Sequence, residues 1–230
     1  MTLEEWKRNN KVTFTNDALL EQAFIHRSFI NENPRSGLEH NERLEFLGDA
    51  VLELIVTEYL YDVYPHHNEG DLTAYRSALV NAVTLGKVAD SLSFNDMMKL
   101  SKGEAKDVSR ARSSILADAY EAFVGALYLD QGYDAAKAFI SRTVLVKTDD
   151  IVKQGLYKDA KSFVQEKAQE VESITPSYKV LGEEGPDHDK RFTVGIYFAD
   201  EMVAEGTGKS KQEAETEAAR AALLKRGWVG

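Results

Sequence analysis

The chain has 230 residues and no cysteine. That excludes a disulfide framework, thiolate metal sites and cysteine nucleophiles, and it fits a reducing compartment. Long apolar runs are missing too. No stretch approaches the roughly 20 residues that span a bilayer as a helix, and the first ten residues, MTLEEWKRNN, have neither an apolar centre nor a small-residue cleavage site. The expectation is a cytoplasmic protein with no membrane partner. Positive charge is scarce: 28 lysines and arginines stand against 38 aspartates and glutamates, for a net charge of −10. By itself that balance argues against a nucleic-acid partner. The deficit is uneven, however. Residues 1–150 hold 16 basic against 24 acidic side chains, net −8, while residues 151–230 hold 12 against 14, net −2. Most of the excess negative charge thus lies in the first part, where acids can serve a cation. The five histidines, His26, His40, His66, His67 and His188, show no metal-ligand spacing, and the Glu-x-x-His pairs of a di-iron bundle are absent. No internal repeat or low-complexity tract occurs.

From about Asn16 to Val146 apolar residues recur at helical spacing, with breaks at Asn33-Pro34-Arg35-Ser36-Gly37, Tyr64-Pro65-His66-His67 and Gly132. This half reads as all α. The periodicity lapses in TDDIVKQGLYKD, which marks a linker and a boundary near residue 153. Beyond it a helix is expected from about Asp159 to Val171. Alternating β-type runs follow at Ser177 to Glu183, Arg191 to Phe198 and Glu201 to Lys209, and an alanine-rich helix runs from about Lys211 to Arg226. The expected architecture is a mainly α domain over 1–150, a linker over 151–157 and a small α+β domain of order α-β-β-β-α over 158–230.

Two helical stretches carry chemistry. In NERLEFLGDAVLEL, residues 41–54, the acids Glu42, Glu45 and Asp49 fall at i, i+3 and i+7 and project from one side, beside Gly48. A mid-helix glycine costs about 1 kcal/mol relative to alanine. In SILADAYEAFVGALYLD, residues 114–130, Asp118 and Glu121 interrupt a helix apolar around most of its circumference. Such a helix is buried, and a buried carboxylate needs a partner. A solvated acidic face is one reading of the first stretch, and ion pairing with Arg43, Arg110 and Arg112 is one reading of both. The sharper reading has the two helices meeting, with Gly48 and Gly125 permitting close approach, and the acids converging on a divalent cation. All-oxygen ligands favour Mg²⁺ or Mn²⁺ over zinc. Carboxylates around such ions suit phosphoryl transfer: one ion lowers the pKa of a bound water, and a second, about 3.5 to 4 Å away, neutralises the leaving oxygen.

HNERLEFLGDA at 40–50 together with SILADAYEA at 114–122 resembles the signature of the ribonuclease III family, the Mg²⁺-dependent endonucleases of double-stranded RNA. The likeness extends over essentially the whole chain, and residues 158–230 resemble the family's double-stranded RNA-binding domain. The resemblance implies a homodimer whose two sites each cut one strand of a duplex. The products would be 5′-phosphate and 3′-hydroxyl ends with two-nucleotide 3′ overhangs, from substrates such as ribosomal RNA stems. It implies that Glu42, Asp49, Asp118 and Glu121 form the catalytic and metal-binding cluster, with Asp49 and Glu121 as direct ligands. Glu45 matches a supporting acid at the dimer interface, Glu69 a glutamate near the cleavage valley, and Arg112 a basic residue ahead of the second motif. In the RNA-binding domain Ser162, Gln165 and Glu166 match first-helix positions facing a minor groove, where shape and 2′-hydroxyls are read. His188 matches a loop residue reaching another minor groove. Lys209, Ser210 and Lys211 match a phosphate clamp at a helix N-terminus, whose free N–H groups suit phosphate oxygens. The family commonly has further basic residues where this chain has Gln212 and Glu213, which implies weaker, less salt-sensitive binding. A non-cleaving RNA-binding protein and an interaction protein with ion-paired acids are the competing readings.

Overall fold

The computed structural model describes residues 1–106, 110–153, 160–186 and 190–228. The chain divides into two compact units, Met1–Ile151 and Val152–Gly230. Most of the expected linker, residues 154–157, lies outside the described residues, as does His188.

The first unit is helical: α1 (Leu3–Asn10), α2 (Asp17–Ala23), α3 (Arg27–Glu32), α4 (Glu42–Val63), α5 (Glu69–Leu79), α6 (Ala82–Ser91), α7 (Arg110–Gln131), α8 (Tyr133–Thr143) and α9 (Thr148–Lys153). Local chemistry sets many of the ends. Asn16, Asn68 and Asn81 cap α2, α5 and α6 by accepting from backbone N–H groups that have no intrahelical partner. The break after α4 coincides with Tyr64-Pro65, and α8 starts after Gly132 at φ +82°. Helix α1 lies ahead of Asn16, where the helical periodicity of the sequence starts. Thr2 and Glu5 close a reciprocal capping box at its start. The apolar payload of α1 is Trp6, which is fully buried and meets Phe24, Phe94 and Phe123 edge-on at centroid distances of 5.2, 5.4 and 5.4 Å. Such pairs contribute roughly 0.5–1.5 kcal/mol each beyond the area they bury. The indole N–H, which needs an acceptor when buried, donates to the Leu92 carbonyl at 2.9 Å.

Helices α4 and α7 form the centre of this unit. Their backbones touch. A Cβ placed on Gly48 would lie 1.7 Å from the Glu121 carbonyl oxygen, and one on Gly125 would lie 2.2 Å from that of Leu44. The expected glycine-mediated approach of the two motif helices is therefore what the chain adopts. The start of α4 is fixed by Asn41, which is buried and donates through Nδ2 to the Ala23 carbonyl at 3.1 Å. Its N–H donates to the Ile25 carbonyl at 2.9 Å, and its own carbonyl accepts from Leu44 and Glu45. Ile25 also forms a parallel bridge with Lys99, the one extended pairing among the described residues of this helical unit. These links hold the segment before α3 against the first turn of α4.

The second unit runs α10 (Ala160–Glu172), β1 (Ser177–Glu184), β2 (Arg191–Phe198), β3 (Glu201–Gly208) and α11 (Lys211–Lys225), with every end within one residue of that expected. The sheet is antiparallel in the order β1-β2-β3, pairing Lys179 with Gly195 and Gly195 with Glu205. Both helices pack on one face over a core that includes Val164, Ala168, Ile196, Phe198, Ala218 and Ala222. Alanines and glycines allow this closeness: a Cβ on Gly206 would lie 2.1 Å from the Ala218 nitrogen. Trp228 stacks on Phe198 at 5.6 Å.

Candidate metal centre and nucleic-acid face

Glu45 on α4 and Asp118 and Glu121 on α7 bring carboxylate oxygens within 4.8 Å of one another. The glycine contact places them there, because Gly48 lies one turn from Glu45 and packs on the Glu121 carbonyl itself. All three are partly buried. Among the described residues none of the three receives a hydrogen bond or an ion pair from a side chain, an arrangement that costs free energy if all are charged. Burial, reinforced by the charges of Asp49, Asp118, Glu45 and Glu53, pushes the Glu121 carboxyl up to about 8. Burial, followed by the charges of Asp118, Glu42 and Asp49, pushes Glu45 up to about 7. Asp118 is also raised by burial, with His26 opposing the shift.

The other sequence-predicted acids lie around this trio. Asp49 is exposed on α4 and acts electrostatically on both Glu45 and Glu121. Glu42, whose charge acts on Glu45, is itself ion-paired: Arg27 Nη1 lies 2.9 Å from its Oε1 and His40 Nδ1 lies 3.7 Å from its Oε2. Glu69 is exposed in the first turn of α5. Arg112 is turned to a neighbouring segment, donating to Asn95 Oδ1 at 2.7 Å and to the Glu104 carbonyl at 3.4 Å.

Two neighbours of the cluster were not singled out from the sequence. Arg27 pairs with Glu42 as described. His26 caps α3, its Nδ1 accepting from the Ser28 N–H at 3.3 Å and lying 2.8 Å from Ser28 Oγ, and burial lowers its pKa against the charges of Glu104, Asp118 and Glu42. Both sit in IHRSF, where nothing local to the sequence signals an acidic partner. The bond from the Asn41 N–H to the Ile25 carbonyl, which ties this segment to the start of α4, supplies the proximity to Glu42.

In the second unit Ser162, Gln165 and Glu166 are exposed on α10 and, with Gln169, line an open recess. Ser210 caps α11, accepting from the Glu213 N–H at 3.1 Å, while the Lys209 N–H donates to the Glu213 carboxylate at 2.8 Å. Lys211 is exposed, with its ammonium 3.3 Å from Glu183 Oε1 and 5.6 Å from the Phe192 ring centroid.

The chain is similar to known proteins over both units. A family model described as ribonuclease-III-like matches residues 16–148, and one described as the double-stranded RNA binding motif matches residues 160–226. Among curated proteins, a Ribonuclease 3 of Geobacillus sp. is 44% identical over 230 residues, covering 99% of this chain and 92% of that protein. A Ribonuclease 3 of Carboxydothermus hydrogenoformans is 46% identical over 210 residues, covering 91% and 89%. Among solved structures, the nuclease domain of ribonuclease III from Campylobacter jejuni, described for flexibility in its dimer-forming region, matches with a TM-score of 0.56 and 38% identity. That match covers 62% of this chain and 96% of that one.

Proposed function

The chain belongs to the ribonuclease III family, and on that footing we propose that it hydrolyses phosphodiester bonds of double-stranded RNA at the acidic cluster between α4 and α7. The observation that carries this reading is the trio Glu45, Asp118 and Glu121. Side chains held together by two helices in backbone contact, with no lysine or arginine paired to them among the described residues, fit a divalent ion. The donor set is entirely oxygen, which suits Mg²⁺, with Mn²⁺ as a substitute. Such an ion supplies a water of lowered pKa and charge neutralisation at the leaving oxygen.

Asp49 and Glu121 are the direct ligands in this reading, and Glu42 and Asp118 complete the set. Glu45 joins them on its proximity to Asp118 and Glu121. Arg27 holds Glu42 in place beside the cluster. Glu69 contributes at the periphery, toward the RNA, and Arg112 does so from a guanidinium held by Asn95 and the Glu104 carbonyl. The duplex is held by Ser162, Gln165, Glu166 and His188 in its minor grooves and by Lys209, Ser210 and Lys211 on phosphate. A second copy of the chain completes the enzyme. The outer face of α4 presents Phe46, Leu54 and Tyr61 at 82, 59 and 73% exposure, apolar area that an isolated chain leaves in water. Each copy then cuts one strand, giving 5′-phosphate and 3′-hydroxyl ends with two-nucleotide 3′ overhangs. No helix among the described residues is long and apolar enough to cross a membrane. We place the enzyme in the cytoplasm, acting on structured precursors such as ribosomal RNA stems. The test is cleavage of an end-labelled RNA hairpin of about two helical turns: cutting with Mg²⁺ and none with chelator is expected. Duplex binding without cutting would move the reading to a non-cleaving RNA-binding protein.

The raised carboxyls make a separate prediction about stability. Both folded-state values, about 7 for Glu45 and about 8 for Glu121, stand above the ordinary glutamate value. Their contribution to the metal-free fold is therefore fully present below about pH 4.3 and is lost as pH rises through the folded values. The melting temperature of chelated protein should fall between pH 5.5 and 8.5, by on the order of 5 °C once solvent screening of these partly exposed groups is allowed for. Mg²⁺ should restore it at pH 8.5 and change little at pH 5.5, where protons compete for the same oxygens. Differential scanning fluorimetry across that range checks it, and a Mg²⁺ effect independent of pH would contradict it.

A further inference from the structure

Glu183, at the end of β1, lies between two lysines. Its Oε1 is 3.3 Å from Lys211 Nζ and its Oε2 is 3.6 Å from Lys190 Nζ. Lys211 opens α11 at the clamp, Lys190 precedes β2, and Glu183 faces Phe192 across the β1–β2 ladder. One carboxylate thus meets the cation of the clamp and a cation of the segment leading into β2. A second carboxylate, that of Glu213, meets the Lys209 N–H beside them.

We infer that Glu183 is an internal competitor for duplex phosphate, a residue that holds down the affinity of the second unit for RNA by occupying Lys211. The inference rests on the double-stranded RNA reading above and concerns a residue that reading does not use. A phosphate approaching the start of α11 meets an ammonium that already has a carboxylate 3.3 Å away, and it must exchange with that carboxylate or bind beside it. Either way the cation contributes less than a full charge toward phosphate neutralisation. The Phe192 ring lies under the same ammonium at 5.6 Å, a second contact that stays when Glu183 is neutralised. Glutamine at 183 keeps a carbonyl oxygen as hydrogen-bond acceptor and removes only the charge. Neutralisation therefore frees the clamp without disordering it. A purely structural bridge gives the opposite sign, since breaking it would loosen the clamp and weaken binding.

The test uses the full chain, a fluorescein-labelled RNA duplex of about 30 base pairs, chelator to prevent cleavage, and a KCl series. Glu183→Gln should bind about two- to fivefold more tightly near 0.1 M KCl, the scale of one exposed charge pair. Its plot of log K against log salt should be steeper by up to about 0.9, corresponding to one additional phosphate neutralised. Lys211→Gln should weaken binding, and most of the gain from Glu183→Gln should disappear in the Lys211→Gln background. Thermal melts of each variant report that the fold is kept. Equal or weaker binding by Glu183→Gln overturns the inference, as does an undiminished gain when Lys211 is absent. Failure of the native chain to bind duplex is a different result, one that removes the RNA-binding reading itself.

Discussion

Glu121→Gln should yield a chain that folds, retains its grip on duplex RNA and does not cut it. The substitution keeps the shape of a side chain that is partly buried on α7 and removes a charge pushed by its surroundings to a pKa of about 8. In metal-free protein the loss of that charge relieves repulsion with Asp49, Asp118 and Glu45, so the variant should melt no lower than the native chain above pH 7 and lose much of the pH dependence of melting. Cleavage should behave oppositely. A carboxylate ligand contributes to transition-state charge stabilisation worth several kcal/mol, and each 1.36 kcal/mol is about tenfold in rate. Single-turnover cleavage of the hairpin should therefore fall by at least about a thousandfold, while anisotropy titrations in chelator should match the native chain. The increase in melting temperature caused by Mg²⁺ at pH 8.5 should shrink as well. Cutting within a few-fold of the native rate would remove Glu121 from the centre of the mechanism.

Gly48→Ala should do the largest damage to stability. A methyl at this position would sit 1.7 Å from the Glu121 carbonyl oxygen, 2.6 Å from its carbon and 2.8 Å from the Gly125 nitrogen. All three are backbone atoms, so no rotamer change makes room and the helices must separate. Overpacking a core costs typically 1–3 kcal/mol, and a clash against backbone belongs at or above about 3 kcal/mol. For a unit of this size that lowers the melting temperature by about 6–12 °C. Activity should fall as well, since separation moves Glu45 away from Asp118 and Glu121. Gly37 gives the contrast. It has φ +70° with nothing within 4 Å of an added Cβ, so alanine there meets only the left-handed backbone penalty of roughly 1–2 kcal/mol. Calorimetry of the two variants side by side separates close approach from backbone strain, and equal losses would refute the distinction.

Much of this was legible in the sequence because the decisive features are local. Helical spacing, the glycine inside each motif helix and the alternation of β1 to β3 all fall within windows of about 15 residues. The approach of α4 to α7 could be argued from Gly48 and Gly125 because a glycine inside a helix needs a reason. What was not legible depends on pairings over long sequence separations. Arg27 reaches Glu42 because the Asn41 N–H bonds back to the Ile25 carbonyl, and Glu183 reaches Lys211 from the far side of a three-stranded sheet. Asn41 reads as an ordinary polar residue before a helix, yet it is buried and tied to Ala23 and Ile25. Helix α1 is a different case. Thr2 and Glu5 stand three apart ahead of Trp6, a capping-box signal that was present in the sequence, and eight residues were too few for periodicity to register.

The chain has two tryptophans, and each compact unit holds one. Trp6 is sealed among phenylalanine rings in the first unit, and Trp228 lies partly covered against Phe198 in the second. Intrinsic fluorescence is thus a label-free reporter on both units. The emission of Trp6 should be blue and shielded from aqueous quenchers, and that of Trp228 redder and quenchable. With Trp228→Phe the remaining signal would follow the opening of the nuclease unit alone, and with Trp6→Phe it would follow the RNA-binding unit.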